Sequence, residues 1–195
     1  MEHGRLPCGL AGQLWGRLGF SCTQMFGRFG RAKLHPLSRR QHEPHRSALN
    51  PQLWSALLWW LDVLPRAPPR QVPVDLHSHR RVVSYSDGEG ADGGVGVAIW
   101  VEGAALAEAG YIAVPEQVRK RWAAQRGQDS RHDIFEIEAV GPLILLSNFA
   151  ELLRGSLWLH FIDNDAALSS LVNGFSSVMQ GEEIVGATWS RIQDL

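Results

Sequence analysis

Three carboxylates in the second half of the chain lie beside segments that predict regular structure. Asp87 ends the strand-like segment RVVSYSD, Asp163 ends the apolar segment LWLHFID, and Glu138 lies near the start of an apolar helix between them. In open sheets, ligands bind where strand ends border a crevice, so we expect both aspartates at such an edge. Carboxylates brought together repel one another, and a divalent cation makes the arrangement tolerable. The pattern therefore predicts that Asp87, Glu138 and Asp163 bind Mg²⁺ or Mn²⁺.

Ligands of this kind favour hydrolysis of a phosphodiester. Hard carboxylate oxygens, with room for water and phosphate oxygens, suit Mg²⁺ or Mn²⁺. Two such ions can clamp the attacking and leaving oxygens of the reaction. The expected reaction is nucleic-acid cleavage, with the same three carboxylates as catalytic residues.

Each carboxylate also has a purely structural interpretation. Asp163, followed by Asn164, can serve as the N-cap of the next helix. Glu136 and Glu138 fit the first turn of a helix, where the helix dipole favours acids. The Gly-Pro pair at 141–142 can delay the start of that helix and leave Glu138 in a loop, so Glu136 stays open as the substitute ligand.

Other polar residues near these positions are weaker candidates. Asp87 and Glu89 fit the acid-any-acid start of proofreading-type exonucleases, although the glycine hairpin that follows disfavours this. Asp165 is expected at a solvated helix start, with a possible contribution of charge near the site. His132 is expected in a loop, and His160 is expected to point outward from its strand, because their spacing does not suit a zinc site.

The elements that must position these residues follow from the hydrophobic period. RVVSYSD alternates with period two, DGEGADGG at 87–94 is typical of a turn, and VGVAIWV at 95–101 predicts a second strand. Three strands, a helix, a strand and further helices predict an α/β domain. The other predicted elements are a strand at 105–113, a short basic helix and loop at 114–133, an apolar helix from 134, a strand at 157–163, a short helix closed near Gly174 and a last helix from about Gly181.

The N-terminal part predicts a small helical segment. Apolar residues recur at helical spacing from Leu14 to Phe29, while SRRQHEPHRS at 38–47 predicts a basic loop. Asn50 followed by Pro51 predicts the start of a second helix. The apolar stripe expected on that helix comprises Leu53, Leu57, Trp60, Leu61 and Leu64.

A cluster of prolines separates the two parts. Pro65, Pro68, Pro69 and Pro73 are incompatible with a helix interior or a sheet interior, and they predict an extended linker. We therefore expect a helical segment at 1–64, a linker at 65–80 and an α/β domain at 81–195.

Charge is unevenly distributed along the chain. Residues 1–80 contain 11 Lys and Arg against 4 Asp and Glu, whereas residues 81–195 contain 8 against 16. The basic part is a candidate for contacting an acidic polymer, although a solvated basic face explains the same residues. The predicted nucleic-acid contacts are Arg28, Arg31, Lys33, Arg39 and Arg40 in the first part, and Arg119, Lys120 and Arg121 in the second.

Composition excludes several classes of protein. With 45% hydrophobic and 20% charged residues, the chain has the composition of a globular protein. No run of 18 apolar residues occurs, so no membrane span is expected. Cys8 and Cys22 cannot build a disulfide framework, and the first residues lack the features of a secretory signal, so an intracellular location is expected.

About residues 80–195 resemble the ribonuclease H domain of retroelement reverse transcriptases, especially DIRS-like elements. The segments that carry this resemblance are SYSDGEGADGGVGVAIW, IEAV and HFIDNDAALSSLVNGFS. The segments LWGRLGFSCTQMFGRFGRAKLHPLSRR and LNPQLWSALLWWLDVLPRAPPRQVP are similar to the thumb and connection region that precedes this domain. The resemblance implies a ribonuclease H-like mixed sheet with flanking helices. It also implies metal-dependent hydrolysis of the RNA strand of RNA/DNA hybrids, and an upstream polymerase region of the same polyprotein as a partner. Asp87, Glu138 and Asp163 are the implied ligands of Mg²⁺ or Mn²⁺.

The sequence departs from the family at Gly141 and Pro142, where the family's helix is regular, and it departs in two other respects as well. The family supplies a fourth carboxylate after its last long helix, but this chain ends 32 residues past Asp163, and Asp194 falls inside the expected last helix. The domain is therefore expected to be truncated, and a non-catalytic nucleic-acid-binding relic stays open as the alternative. Tyr85 is followed by Ser86, Asp87 and Gly88, so the polymerase signature of tyrosine, any residue and two aspartates is absent from the sequence.

Overall fold

The computed structural model describes residues 4–67, 74–75, 79–90, 93–105, 107–126 and 133–195. The chain divides into two compact units, Met1–Val72 and Pro73–Leu195. Residues 68–73 and 76–78 of the expected linker lie outside the described part. Within the described residues, none of the helices combines the length and apolar character that crossing a bilayer requires.

Within residues 4–67, the part of the first unit that the structure describes, there are three helices: α1 (Cys8–Thr23), α2 (Arg31–Gln41) and α3 (Pro51–Val63). The apolar periodicity running to Phe29 wrongly predicted one continuous helix, because α1 ends at Thr23. Gly30 precedes α2 with φ 83°, and a Cβ there would lie 2.8 Å from the Trp60 ring. The chain turns at this point because glycine tolerates both the left-handed backbone and the close ring.

Helix α2 corrects the expected basic loop at 38–47, because residues 38–41 are helical. The polar composition concealed a buried helical face that includes Leu37 and Pro36. Arg40 also belongs to this face: it is 2% exposed, and its Nη2 donates to the Ala48 carbonyl at 2.7 Å. Tertiary packing therefore overrides the loop-like composition.

Helix α3 begins where the sequence predicted. The Asn50 side-chain Oδ1 accepts a hydrogen bond from the Leu53 backbone N–H at 2.8 Å, and Pro51 occupies the first turn. The expected apolar stripe is correct at Leu53 and Trp60, which are buried, but wrong at its C-terminal end. Leu61 and Leu64 are exposed, while Ala56 is buried in their place.

The Asn50 cap gives a direct stability prediction. We expect Asn50→Ala to lower the free energy of unfolding of the first unit by about 1 kcal/mol, because one backbone N–H of α3 loses its acceptor. Urea unfolding of the full chain, followed by tryptophan fluorescence, measures the change. Asn50→Asp retains a capping oxygen and is expected to stay close to wild type, and equal losses in the two variants would contradict the capping role.

The second unit contains a four-stranded mixed sheet and confirms the α/β prediction. Its strands are β1 (Arg81–Glu89), β2 (Gly94–Val101), β3 (Ala107–Ala113) and β4 (Leu157–Phe161), in the order β3-β2-β1-β4. Strand β2 pairs antiparallel with both β1 and β3, whereas β4 pairs parallel with β1. The expected turn at 87–94 is shorter than predicted, because Glu89 still pairs with Gly94.

The described residues of this unit also form five helices: α4 (Glu116–Arg126), α5 (Ile134–Asn148), α6 (Ala150–Leu153), α7 (Asp165–Asn173) and α8 (Met179–Gln193). Helix α7 ends at Gly174 with φ 78°, as predicted. Helix α8 begins two residues before the predicted Gly181. Helix α5 contacts β1, β2, α7 and α8, which explains why its own sequence is mostly apolar.

Helix α5 runs without a break through Gly141 and Pro142. The expectation that the helix starts only near Pro142 and leaves Glu138 in a loop is therefore wrong. Gly141 lies against β1 so closely that a Cβ there would be 2.2 Å from Ser86 Oγ. This close packing stabilises the helix at residues 141–142, where glycine and proline disfavour a helix interior.

Candidate functional site

The sheet brings two aspartates to the same edge. Strands β1 and β4 are parallel neighbours, and their last paired residues are Tyr85 and Phe161. Asp87 and Asp163 each follow that pair by two residues, so the parallel register places them side by side. Both side chains are exposed to solvent.

Helix α5 supplies the third carboxylate. One ligand oxygen from each of Asp87, Glu138 and Asp163 lies within 4.8 Å of the others. The three acids proposed from the sequence therefore come together, with two at the open side and Glu138 only 4% exposed. We refer to these three residues as the acidic triad.

Glu138 is held by the backbone of β1. The Gly88 backbone N–H donates to the Glu138 carboxylate, while the second carboxylate oxygen, Oε2, is buried with no hydrogen-bond partner among the described residues. Burial raises the pKa of Glu138, the Gly88 N–H opposes this, and the negative charges of Asp163 and Asp87 raise the pKa further. An unpartnered buried oxygen beside two other carboxylates is the environment that a bound cation would satisfy.

Gly88 allows helix α5 to come this close to the strand. A Cβ at Gly88 would lie 2.9 Å from Ile137 Cγ2, 3.0 Å from Glu138 Cδ and 3.2 Å from the Glu138 backbone nitrogen. The glycine-rich sequence at 87–94 predicted Gly88 only as part of a turn, although its position directly after Asp87 was the available signal. A larger residue here would displace the carboxylate that completes the triad.

The donor set suits a hard divalent cation. All three side chains offer oxygen, which fits Mg²⁺ and Mn²⁺ better than metals that favour thiolate or imidazole. Because Asp87 and Asp163 are exposed to solvent, a cation bound there would be accessible to water. On the buried side, Glu138 Oε2 has no hydrogen-bond partner among the described residues, so its lone pairs are available to a bound cation.

The neighbouring acids do not join the triad. Glu136 is buried beside a cavity of about 660 Å³ that is also lined by Ser169, Ser176 and Gln180, so it does not replace Glu138. Glu89 lies 3.3 Å from the Tyr111 hydroxyl, which donates to its carboxylate.

The cap of helix α7 is also settled. Asn164 is its N-cap, and Asn164 Oδ1 accepts from the Ala167 N–H at 2.9 Å. Asp165 is the first residue of the helix and is exposed, as expected for a solvated helix start. The interpretation of Asp163 as a simple cap is therefore wrong, and its carboxylate lies in the triad instead.

His160 corrects another expectation, because it does not point outward. Its ring lies on the helix-covered side of the sheet, with Nδ1 2.9 Å from Ser84 Oγ and Nε2 3.1 Å from Ser86 Oγ. Burial lowers the pKa of His160 from 6.5 to about 4. The apolar alternation of β4 was misleading, since Leu159 and Phe161 are the exposed residues of this strand. His132 lies outside the described residues.

The partly buried His160 makes the stability of the folded protein depend on pH. His160 is neutral in the folded protein down to about pH 4, whereas the unfolded chain binds the proton near pH 6.5. Stability is therefore complete above about pH 6.5 and declines as the pH falls toward 4. We expect His160→Gln to lose less stability than wild type between pH 7 and pH 4 in urea titrations. His42→Gln, at an exposed position, serves as the control, and equal acid slopes for all three proteins would contradict the prediction.

The predicted basic surface is only partly available. Arg40 is wrong as a phosphate contact, because its side chain is buried and lies 3.6 Å from the Glu43 carboxylate. Arg28, Arg31 and Lys33 are half-buried, and Arg39 is exposed. Their contact with nucleic acid stays a prediction.

The second basic cluster is paired with acids. Arg119 Nε lies 2.8 Å from Asp133 Oδ2, and Lys120 Nζ lies 2.8 Å from Glu116 Oε1. Arg121 forms an ion pair with Glu183. A phosphate would have to compete with these carboxylates, and the predicted grip on a hybrid's minor groove stays a prediction.

The arrangement as a whole can bind a divalent cation next to an open surface, and carboxylate-bound cations of this kind activate water toward phosphate esters. No model of a known protein family matches the chain, and no curated protein matches it either.

Proposed function

We propose that this chain carries a divalent-cation-dependent nuclease site that hydrolyses the RNA strand of RNA/DNA hybrids. The observation that carries the proposal is the convergence of Asp87, Glu138 and Asp163 within 4.8 Å, with Glu138 Oε2 buried and unpartnered among the described residues. Three carboxylates at this distance repel one another, and Mg²⁺ or Mn²⁺ would convert that repulsion into binding.

The residues of the triad have distinct roles in this proposal. Asp87 and Asp163 bind the cation from the solvent side, where the substrate approaches. Glu138 binds it from the inner side and is kept in place by the Gly88 N–H. A divalent cation held by these residues would supply charge stabilisation and would make a water more acidic for attack on phosphorus. In the hydrolysis, the water oxygen forms a bond to phosphorus as the opposite bond, between phosphorus and the leaving ribose oxygen, breaks. The water gives up a proton to solvent, and the leaving oxygen takes one up.

The choice of substrate rests on the resemblance of residues 80–195 to the ribonuclease H domain of retroelement reverse transcriptases. A hybrid is selected by its shape and by the 2′-hydroxyls of the RNA strand, so no base-specific contacts are required. In this proposal the partner of the domain is an upstream polymerase region of the same polyprotein. The mixed sheet with helices on its flank is compatible with this origin.

Hydrolysis of labelled nucleic acids tests the proposal. The full chain is incubated with an RNA/DNA hybrid, double-stranded RNA and double-stranded DNA, in Mg²⁺, Mn²⁺ or EDTA. We expect cleavage of the RNA strand of the hybrid with either metal and none in EDTA. Cleavage that persists in EDTA, or that does not distinguish the hybrid from double-stranded DNA, would contradict the assignment.

One observation favours a second candidate, a non-catalytic protein that binds nucleic acid. Among the described residues the triad has three members, and Asp194, just beyond the end of α8, is not one of them. A site with one carboxylate fewer than the family that the chain resembles would bind a divalent cation less tightly, and the hydrolysis depends on that cation. This candidate predicts salt-dependent binding of the hybrid and binding of Mn²⁺ without cleavage. Metal-dependent cleavage by the pure protein would eliminate it.

A further inference from the structure

A chain of hydrogen bonds links β4 to β1 beneath the sheet edge that carries the two aspartates. The Trp158 Nε1–H donates to Ser84 Oγ at 2.7 Å, Ser84 Oγ lies 2.9 Å from His160 Nδ1, and His160 Nε2 lies 3.1 Å from Ser86 Oγ. Ser84 and Ser86 are buried, so these groups depend on one another for partners. Four side chains from two strands thus form one connected polar element.

The donors agree with one direction for these hydrogen bonds. An indole N–H only donates, so Ser84 Oγ accepts from Trp158, and the Ser84 hydroxyl hydrogen can donate onward to His160 Nδ1. In that direction Nδ1 is unprotonated and Nε2–H donates to Ser86 Oγ. The low pKa of His160 agrees with a ring that stays neutral at physiological pH.

The position of these hydrogen bonds connects them with the acidic triad. Ser84 pairs with His160 in the β1–β4 register, and the next pair, Tyr85 with Phe161, is the last pair between the two strands. Ser86 directly precedes Asp87, and His160 precedes Asp163 by three residues. A slip of one residue between these strands would turn side chains to the opposite face and separate the two aspartates.

We propose that His160 is a positioning residue for the acidic triad: as the neutral Nε2–H tautomer, it fixes the β1–β4 register in which Asp87 and Asp163 lie side by side. The inference rests on the proposed cation site for its functional consequence. The register and the tautomer can be measured without any metal.

The experiment compares His160→Leu, which removes both ring hydrogen bonds, with Ser86→Ala, which removes one. Ser176→Ala is the matched control, because Ser176 is an equally buried serine of the same unit that takes no part in the hydrogen bonds of His160. Three quantities are measured for the full-length protein: the imidazole ¹⁵N shifts of metal-free wild type, amide hydrogen exchange in β1 and β4 without metal, and affinity for Mn²⁺.

We expect the Nε2–H tautomer in wild type, faster exchange of the β1 and β4 amides in His160→Leu, and a loss of Mn²⁺ affinity of about tenfold, as for other groups that orient metal ligands. Ser86→Ala is expected to change exchange and affinity in the same direction by less, and Ser176→Ala to leave both at wild-type values. The inference would be overturned if His160→Leu and Ser86→Ala both showed wild-type amide hydrogen exchange in β1 and β4. An Nδ1–H tautomer in wild type would overturn it as well. If wild type fails to bind Mn²⁺ through Asp87, the proposed function fails, and the metal-free exchange and tautomer still decide the positioning role.

Discussion

Asp87→Asn is expected to abolish metal-dependent hydrolysis of the hybrid and to weaken Mn²⁺ binding by more than about 100-fold. Loss of a group that merely orients a ligand already costs about 10–100-fold in metal affinity, and Asp87 is a ligand itself in this proposal. The substitution keeps the side-chain volume and removes one negative charge at an exposed position, so little stability should be lost. Mn²⁺ titration and hydrolysis of labelled hybrid measure the two effects.

The chain offers a matched control for each triad residue, two positions away in sequence. Glu89→Gln removes the same charge from the same strand, yet Glu89 lies outside the triad. Equal loss of Mn²⁺ affinity in Asp87→Asn and Glu89→Gln would show that general negative charge, and not a defined site, attracts the cation. The two remaining pairs follow the same logic: Glu138→Gln with Glu136→Gln, and Asp163→Asn with Asp165→Asn.

The aspartates of the site could be predicted from the sequence because each closes an apolar segment. Strand ends are visible in a period-two pattern, and two such ends followed by acids suggest a shared edge. The parallel pairing of β1 with β4 then fixes their proximity, since Tyr85 pairs with Phe161. Local pattern and topology point to the same pair of residues.

Glu138 was harder to choose because the sequence contained conflicting signals. Gly141 and Pro142 disfavour a helix interior, and Glu136 offered the same chemistry two residues earlier. The choice depends on packing: Gly141 lies against Ser86, and this contact holds α5 in one piece. Tertiary contacts of this kind are not encoded in the local pattern.

The same limitation explains the errors at α2 and at His160. Helix α2 has a polar sequence with an internal proline, but Leu37 is completely buried and Arg40 nearly so. In β4 the apolar residues Leu159 and Phe161 face solvent while His160 is turned toward the helices. The buried Arg40 and the exposed apolar residues of β4 reverse the usual relation between polarity and burial, so composition and hydrophobic period alone are misleading there.

Gly88→Ala is expected to destabilise the second unit by about 1–3 kcal/mol, because the added methyl group overpacks the contact between β1 and α5. Its Cβ would lie 3.0 Å from Glu138 Cδ and 3.2 Å from the Glu138 backbone nitrogen, and the backbone cannot rotate away as a flexible side chain would. Glu138 must therefore shift, so Mn²⁺ affinity should fall by about 10–100-fold. Urea unfolding and Mn²⁺ titration at a temperature where the variant is folded measure the two effects separately.

Gly96→Ala is the matched control for this substitution. Gly96 pairs with Asp87 across β1 and β2, but a Cβ there would have its nearest contact, the Asp87 carbonyl oxygen, at an ordinary 3.8 Å. Alanine at this position should keep wild-type Mn²⁺ affinity and equal or slightly greater stability, since it reduces the freedom of the unfolded chain. If Gly88→Ala is folded and binds Mn²⁺ as tightly as Gly96→Ala does, then Glu138 does not need its position against the β1 backbone. The inner carboxylate would then have no part in binding the cation, and the site would reduce to the two exposed aspartates.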